Sequence, residues 1–249
     1  METTLEISSR SSAWFRRIRE AITSHRNEIV LEGPKQIRDA IERGWKPLAV
    51  ALSPDASIIA TSAPLLRFSE PLFRSLSETV HPQGVIGLFE RPVISPRTIL
   101  SSGGLTVVLD GVQDPGNVGV IIRLAAAFEA AGVLLTEESA DAFGPKAIRA
   151  SASAILCVPT ARTTRTSILE LAAELHLPLF AADGSGDPIP PPANSALLVF
   201  GSEGSGVSDV LAAASTRIRI PTSGQVESLN VASAAAVLLE ASYRGRAGS

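Results

Sequence analysis

LDGVQDPGNVGVIIRLAAAF, Leu109 to Phe128, is the stretch on which the fold turns. An apolar run ends in Asp110, the chain turns through Asp114-Pro115-Gly116-Asn117, and an apolar segment of helical length follows. That is a strand-turn-helix junction, and its rhythm recurs. Apolar strands are expected at Leu105–Leu109, Val133–Thr136, Leu179–Ala182, Leu197–Phe200 and Ile218–Ile220, separated by helical segments. Apolar strands alternating with helices imply an α/β fold with a parallel sheet covered on both faces. DGSGDPIPPPANS, Asp183 to Ser195, is rich in Pro and Gly and reads as a surface loop. Ligands of an open parallel sheet bind beyond the carboxyl ends of its strands, so the loops after the strands are the informative ones.

Working outward, ERPVISPRTILSSGG (Glu90–Gly104) combines two prolines with a Ser-Ser-Gly-Gly cluster and reads as a linker. Before it a small α/β unit is expected, with helices over Ala13–Thr23 and Lys35–Arg43 and strands over Glu28–Leu31, Leu48–Leu52 and Val85–Phe89. The expected organisation is an N-terminal domain over residues 1–91, a linker over 92–104 and a larger domain over 105–249.

At 45% hydrophobic and 19% charged over 249 residues, the chain has enough apolar material for a real core, which excludes extensive disorder. One cysteine, Cys157, and three scattered histidines, His25, His81 and His176, provide neither an intrachain disulfide nor a Cys/His metal cluster. The implied protein is cytoplasmic and metal-free. Cys157, within the apolar Ile155–Val158, reads as an inert core residue. No apolar run reaches the roughly 18 residues of a membrane span, and the start METTLEISSR has no apolar signal core. The net charge of -3 hides an asymmetry: residues through Arg97 carry 13 basic and 11 acidic side chains, and the remainder 9 and 14. Arg10, Arg16, Arg17, Arg19 and Arg26 surround a single acid, Glu20, so this helix is either the anion-facing surface or a plainly solvated face.

Three loops after expected strands stand out. In the first, Asn117 sits where an N-cap belongs. Arg123 is the only charged residue between Asp114 and Glu129, set in a helix apolar on nearly all sides, and such a helix is normally buried. A buried guanidinium needs an anionic partner, either a carboxylate of the fold or the phosphate of a substrate. In the second, LLVFGSEGSGVS, the glycine spacing fits neither a P-loop nor a dinucleotide fingerprint, and Glu203 suits a ligand with positive charge or hydroxyl donors. Its plain reading is a tight glycine turn with a solvated Glu203. In the third, RIRIPTSGQVESLNVASAAAVLLEASY, a polar loop leads to a helix opening at Ser228-Leu229-Asn230, with Ser228 as the expected N-cap. The small residues of Val231–Leu239 imply close packing against the sheet or a partner subunit. No G-x-S-x-G elbow or H-E-x-x-H motif occurs.

These loops, in this order, resemble the three motifs of the SpoU/TrmH family of RNA ribose 2′-O-methyltransferases, part of the SPOUT superfamily. The family's forms, strand-D-P-x-N-x-G-x-x-x-R, G-x-E-x-x-G and I-P-x-x-x-x-x-x-S-L-N-V, are all present. FGPKAIRASASA (Phe143–Ala154) resembles a further family segment, and LEGPKQIRDAI with LSETVHPQGVIGLF resembles the family's N-terminal substrate-binding domain. Two positions depart from the pattern: Thr222 stands where the family often has Met, and Gly144 where it often has Ser.

The resemblance implies S-adenosylmethionine as methyl donor, a homodimer, and a parallel-sheet catalytic domain whose C-terminal segment forms a trefoil knot. Carried over by position, Asn117, Arg123, Glu203, Ser228 and Asn230 match the active-site residues. Gly201, Glu203, Gly204, Gly206, Ile220, Ser228 and Leu229 would surround the donor, and Arg16, Arg17, Arg19, Lys146 and Arg149 are the residues expected to contact RNA. The expected substrate is a structured RNA, with ribosomal RNA placed ahead of transfer RNA. Two rival readings are a catalytically silent RNA-binding protein and a knotted enzyme methylating a base.

Overall fold

The computed structural model describes residues 4–24, 26–79, 81–188, 190–192, 194–226 and 228–247; His25 lies outside them. The chain divides into two units, one of residues Met1–Pro92 with Phe143–Pro145 and one of Val93–Ala142 with Lys146–Ser249.

The first unit runs β1 (Thr4–Ile7), α1 (Ala13–Ser24), β2 (Glu28–Glu32), α2 (Pro34–Glu42), β3 (Pro47–Leu52), β4 (Leu65–Phe68), α3 (Glu70–Leu76) and β5 (Val85–Glu90). Its sheet has the order β1-β4-β3-β5-β2, with β4 parallel to β1 and β3, and β5 antiparallel to β3 and β2. The four-residue strands β1 and β4 escape a periodicity search because each is too short to show a period. Helix α1 buries Phe15, Ile18, Ala21 and Ile22 against Phe68, Phe73 and Leu88. This helical spacing leaves Arg16, Arg17 and Arg19 on the exposed side.

The second unit runs α4 (Pro96–Ser101), β6 (Leu105–Asp110), α5 (Pro115–Ala127), β7 (Gly132–Leu135), α6 (Pro145–Ala150), β8 (Thr160–Arg162), α7 (Arg165–Glu174), β9 (Leu179–Asp187), β10 (Ala196–Gly201), α8 (Asp209–Ala213), β11 (Thr216–Ile218) and α9 (Val231–Ala247). Its six strands, ordered β11-β9-β10-β6-β7-β8, pair in parallel throughout, as the alternating apolar strands predict. Every residue of β6, β7 and β10 is buried, which a parallel sheet requires when helices cover both faces.

Three segments differ from what the sequence predicts. The stretch read as a linker contains α4, whose N-cap Ser95 accepts the Thr98 N–H at 3.0 Å and whose Ile99 and Leu100 join the core around Val108, Leu134 and Ile168. The segment from Asp183, read as loop, continues β9 to Asp187 because β11 pairs with it as far as Ile218 opposite Asp187. Gly186 permits that pairing, since a Cβ there would lie 2.7 Å from the backbone carbon of Arg217. Cys157 is exposed rather than in the core: a turn of 3-10 helix buries Ala154, Ile155 and Leu156 and brings the next residue outward.

Strand order places the chemistry. β6 leads on one side to β7 and borders β10 on the other, so the sheet reverses its winding between β6 and β10. Asp110 and Gly201, the last residues of these two strands, are register partners. The loops after them therefore leave neighbouring strands at one level, where ligands of such sheets bind.

Candidate active site

Helix α5 begins at Pro115, whose fixed φ suits a first helical position, and Asp114 is its N-cap, with a carboxylate oxygen accepting the Gly116 N–H at 2.7 Å. Asn117 is thus inside the first turn and is not the cap. Among the described residues its side chain makes no bond to the backbone and reaches the second loop, where Nδ2 donates to Glu203 Oε1.

That second loop is closed by its own backbone. Ser202 and Gly206 exchange N–H···O bonds, both 3.0 Å, and the Ser202 and Ser205 hydroxyls lie 2.7 Å apart. Gly201 lies under the turn, where an added Cβ would stand 1.9 Å from the Gly206 carbonyl carbon. No larger residue fits. Among the described residues nothing lies within 4 Å of a Cβ position on Gly204 or Gly206, so the outer side of the turn is open to them.

The third loop ends at Asn230. Its Oδ1 accepts the N–H of Ala232 at 2.9 Å and its carbonyl accepts that of Ala234, so Asn230 caps α9 in place of Ser228. Its Nδ2 lies 3.4 Å from Asn117 Oδ1. Asn117, Glu203 and Asn230 thereby form one chain of side-chain contacts joining all three loops. Ser228 and Leu229 are exposed beside it and Ile220 is half-buried; Ser228 makes no hydrogen bond among the described residues.

Arg123 is exposed, contrary to the buried cation expected. Helix α5 buries Val118, Gly119, Ile121, Ile122 and Ala125 and leaves Val120, Arg123 and Ala127 outside, so the guanidinium needs no carboxylate from the fold. It has no hydrogen-bond or ion-pair partner among the described residues. Lys146, on α6, pairs with Asp114 at 2.7 Å. That bond, with the Gly116 N–H, holds the Asp114 carboxyl below its ordinary pKa. Arg149 is exposed further along α6. Close packing of α5 on α6 depends on Gly119, where a Cβ would lie 2.3 Å from the Ala147 carbonyl oxygen.

In the first unit, Arg16 is exposed and has no partner among the described residues. Arg17 forms an ion pair with Glu28 at 2.5 Å and lies over the Trp14 ring, and the Glu28 hydrogen bond raises its pKa. Arg19 donates to the Ser75 carbonyl at 3.1 Å. The count of five arginines against Glu20 alone thus omits Glu28, which the fold brings across from β2.

A family model, that of the SpoU rRNA methylase family, matches residues 104–240, which span all three loops. The chain belongs to the SpoU rRNA methylase family. Among relatives of this SpoU chain, a 23S rRNA (guanosine(2553)-2′-O)-methyltransferase, RlmP, of Bacillus subtilis is 30% identical over 86% of the chain and 87% of that protein. The crystal structure of an AdoMet-bound rRNA methyltransferase from Sinorhizobium meliloti superimposes with a TM-score of 0.87 at 28% identity, covering 97% of this chain and 98% of that one. The SpoU methyltransferase AviRb from Streptomyces viridochromogenes, at 22% identity and a TM-score of 0.83 over 95% and 98% of the two chains, shares the fold.

The SpoU chain holds a second polar cluster at the same strand ends, absent from the sequence reading. Asp110, fully buried, accepts from Arg165 Nε at 2.7 Å and from the Ser208 N–H at 2.8 Å, and Arg165 Nη1 also bonds Glu138 at 2.7 Å. Burial opposes the charge on Arg165, but its bonds to Asp110 and Glu138 outweigh that and raise its pKa. The only sequence signal was a polar residue closing an apolar strand; its partner lies 55 residues away.

Proposed function

We propose that the chain is an S-adenosylmethionine-dependent methyltransferase acting on a ribose 2′-hydroxyl of ribosomal RNA. The observation that carries this reading is the Asn117–Glu203–Asn230 bridge, which draws one polar side chain from each of the three family motifs to the switch point of the parallel sheet.

The residues present fit the donor. The turn offers an open glycine surface at Gly204 and Gly206, and Ser208 Oγ is buried without a hydrogen-bond partner among the described residues. Gly201, Glu203, Gly204, Gly206, Ile220, Ser228 and Leu229 are the residues we assign to hold it. S-adenosylmethionine supplies a methyl group on a positively charged sulfur. Glu203, a carboxylate fixed by Asn117, matches a ligand of that charge.

The protein's remaining work is alignment and activation of a hydroxyl, and alignment by itself lowers such barriers by up to about 7–11 kcal/mol. The hydroxyl proton must pass to solvent water as its oxygen takes the methyl group. Arg123 is suited to stabilise the negative charge that develops on this oxygen as the proton departs, or to grip the neighbouring phosphate. A guanidinium remains protonated in proteins, so we assign Arg123 electrostatic stabilisation and leave the base outside its role.

In this reading residues 1–91 form the RNA-binding domain, Arg16 and Lys146 with Arg149 contribute cations toward RNA, and the segment from β11 to α9 threads as a trefoil knot. The enzyme is a cytoplasmic homodimer. Helices α5 and α9 pack together, and each exposes an apolar residue, Val120 on α5 and Val237 on α9, suited to contact with a second copy.

The test is methyl transfer from labelled S-adenosylmethionine to ribosomal RNA, with the modified nucleoside identified by mass spectrometry. A ribose-methylated nucleoside is the expected product. A methylated base, or RNA binding without transfer, would overturn the proposal.

A further inference from the structure

Asp110 ends β6 with its side chain wholly shielded from solvent, and each of its oxygens has a task. Oδ1 accepts from Arg165 Nε at 2.7 Å, and Oδ2 accepts the backbone N–H of Ser208 at 2.8 Å. Ser208 lies just beyond the Ser202–Gly206 turn that carries Glu203. One buried carboxylate therefore joins the end of β6, the exit of the second loop and the first residue of α7.

A buried carboxylate is costly to the fold without a counter-charge beside it. Arg165 is that counter-charge, and its fork serves two acids at once, Nε on Asp110 and Nη1 on Glu138. A lysine, a single point of charge, cannot make that arrangement. The guanidinium also lies beside the loops themselves: a Cβ placed on Gly111 would be 3.9 Å from Arg165 Nη2 and 3.9 Å from Ser202 Cβ. The neighbouring loop from β7 is tied to the same strand end, with Thr136 Oγ1 accepting the Gly111 N–H at 3.0 Å and Ser139 Oγ accepting that of Val112 at 3.1 Å. The strand end is thus held firmly, and the second loop is referred to it through Asp110.

We propose that Arg165 is a positioning residue of the methyl-transfer site: by bonding and orienting Asp110, it fixes the exit of the second loop and so the level at which Glu203 meets Asn117. The inference deepens the functional reading above and rests on it for the identity of the site.

The test uses the full-length protein and two independent readouts. Hydrogen–deuterium exchange of the ligand-free protein follows the amides of residues 202–208. In Arg165→Gln these amides are expected to exchange about tenfold faster, while the amides of β6 and β7 keep wild-type protection. Calorimetric titration with S-adenosylmethionine is expected to give a dissociation constant about tenfold weaker, with KM for the donor raised and kcat at saturation changed less than about threefold. Arg165→Lys should recover part of both, since it restores the charge without the fork. Wild-type exchange over 202–208 in Arg165→Gln, or uniformly faster exchange across the unit, would overturn the proposal and leave Arg165 a general stabiliser. If Arg165→Gln fails to fold, Asp110→Asn reads the same segment. It replaces one acceptor oxygen with a donor, so unchanged exchange at 202–208 in that variant also overturns the proposal. Failure of the wild-type protein to bind S-adenosylmethionine would instead reject the functional reading, and the exchange data alone would then decide whether Arg165 sets the loop.

Discussion

Asn117 and Glu203, 86 residues apart in the chain, meet through a hydrogen bond from Asn117 Nδ2 to Glu203 Oε1. The contact exists because Asp114 takes over the capping of α5, leaving the Asn117 amide to bond across to the loop after β10. Removing one partner of such a bond costs about 1–3 kcal/mol where the other is left unpaired, at the lower end for exposed groups. Glu203→Ala is therefore expected to reduce kcat/KM by roughly tenfold or more through this contact alone, with Glu203→Gln, which keeps an acceptor oxygen, losing less toward Asn117. Initial rates for the two variants against wild type check the order.

Arg123 is exposed on α5 and takes no part in its packing. Arg123→Ala is expected to change stability by less than about 0.5 kcal/mol, as surface substitutions usually do. Turnover should fall by about 10²–10³, the cost of removing a donor aimed at developing negative charge. A melting curve and a single-turnover assay, with donor affinity measured alongside, separate the two effects. Wild-type turnover would remove Arg123 from the mechanism.

The arginines of α1 are not equivalent. Arg16 has no protein partner among the described residues, whereas Arg17 is engaged by Glu28. If this face meets RNA, Arg16→Ala should lower the slope of log affinity against log salt by about 0.7–0.9, the contribution of one phosphate contact. Arg17→Ala should lower it by less, because Glu28 already neutralises that charge. Filter binding across a salt series distinguishes this from equal effects.

The Asp114 carboxyl has a folded-state pKa below its ordinary value, set by Lys146 and then by the Gly116 N–H. A depressed carboxylate contributes stability that is present above the unfolded value, near 3.9, and is lost as pH falls through the lower folded value. Asp114→Asn keeps a capping oxygen but gives up the ion pair. Its stability is expected to depend less on pH below about 4 than that of the wild type, as followed by urea unfolding at a series of acid pH values.

Gly201 and Gly204 divide folding from binding. A Cβ at Gly201 would overlap the turn backbone at 1.9 Å, so Gly201→Ala should lower the melting temperature and abolish donor binding together. Gly204 has no neighbour within 4 Å of a Cβ position among the described residues, so Gly204→Ala is expected to fold as the wild type does and weaken only the binding of S-adenosylmethionine. Equal donor affinity in Gly204→Ala and wild type would show that no ligand approaches this face of the turn.

The sequence by itself carries the parallel sheet, since β6, β7 and β10 are apolar throughout except for Thr106 and the terminal Asp110, and only a sheet covered on both faces buries such strands completely. It also carries the motif residues Asn117, Glu203 and Asn230, polar side chains in the first turn of α5, in the turn after β10 and at the cap of α9, where core packing does not dictate residue type. Tertiary structure decided the rest. Which residue caps a helix depended on competition within a few positions, Asp114 over Asn117 and Asn230 over Ser228, and the winner is set by where the chain enters the helix. Arg123 is exposed because one helix face suffices for packing, although nearly every residue of α5 is apolar. The Asp110–Arg165 pair could not be read along the chain at all, because a counter-charge is chosen by distance in space, and the 55 residues between these two carry no trace of it.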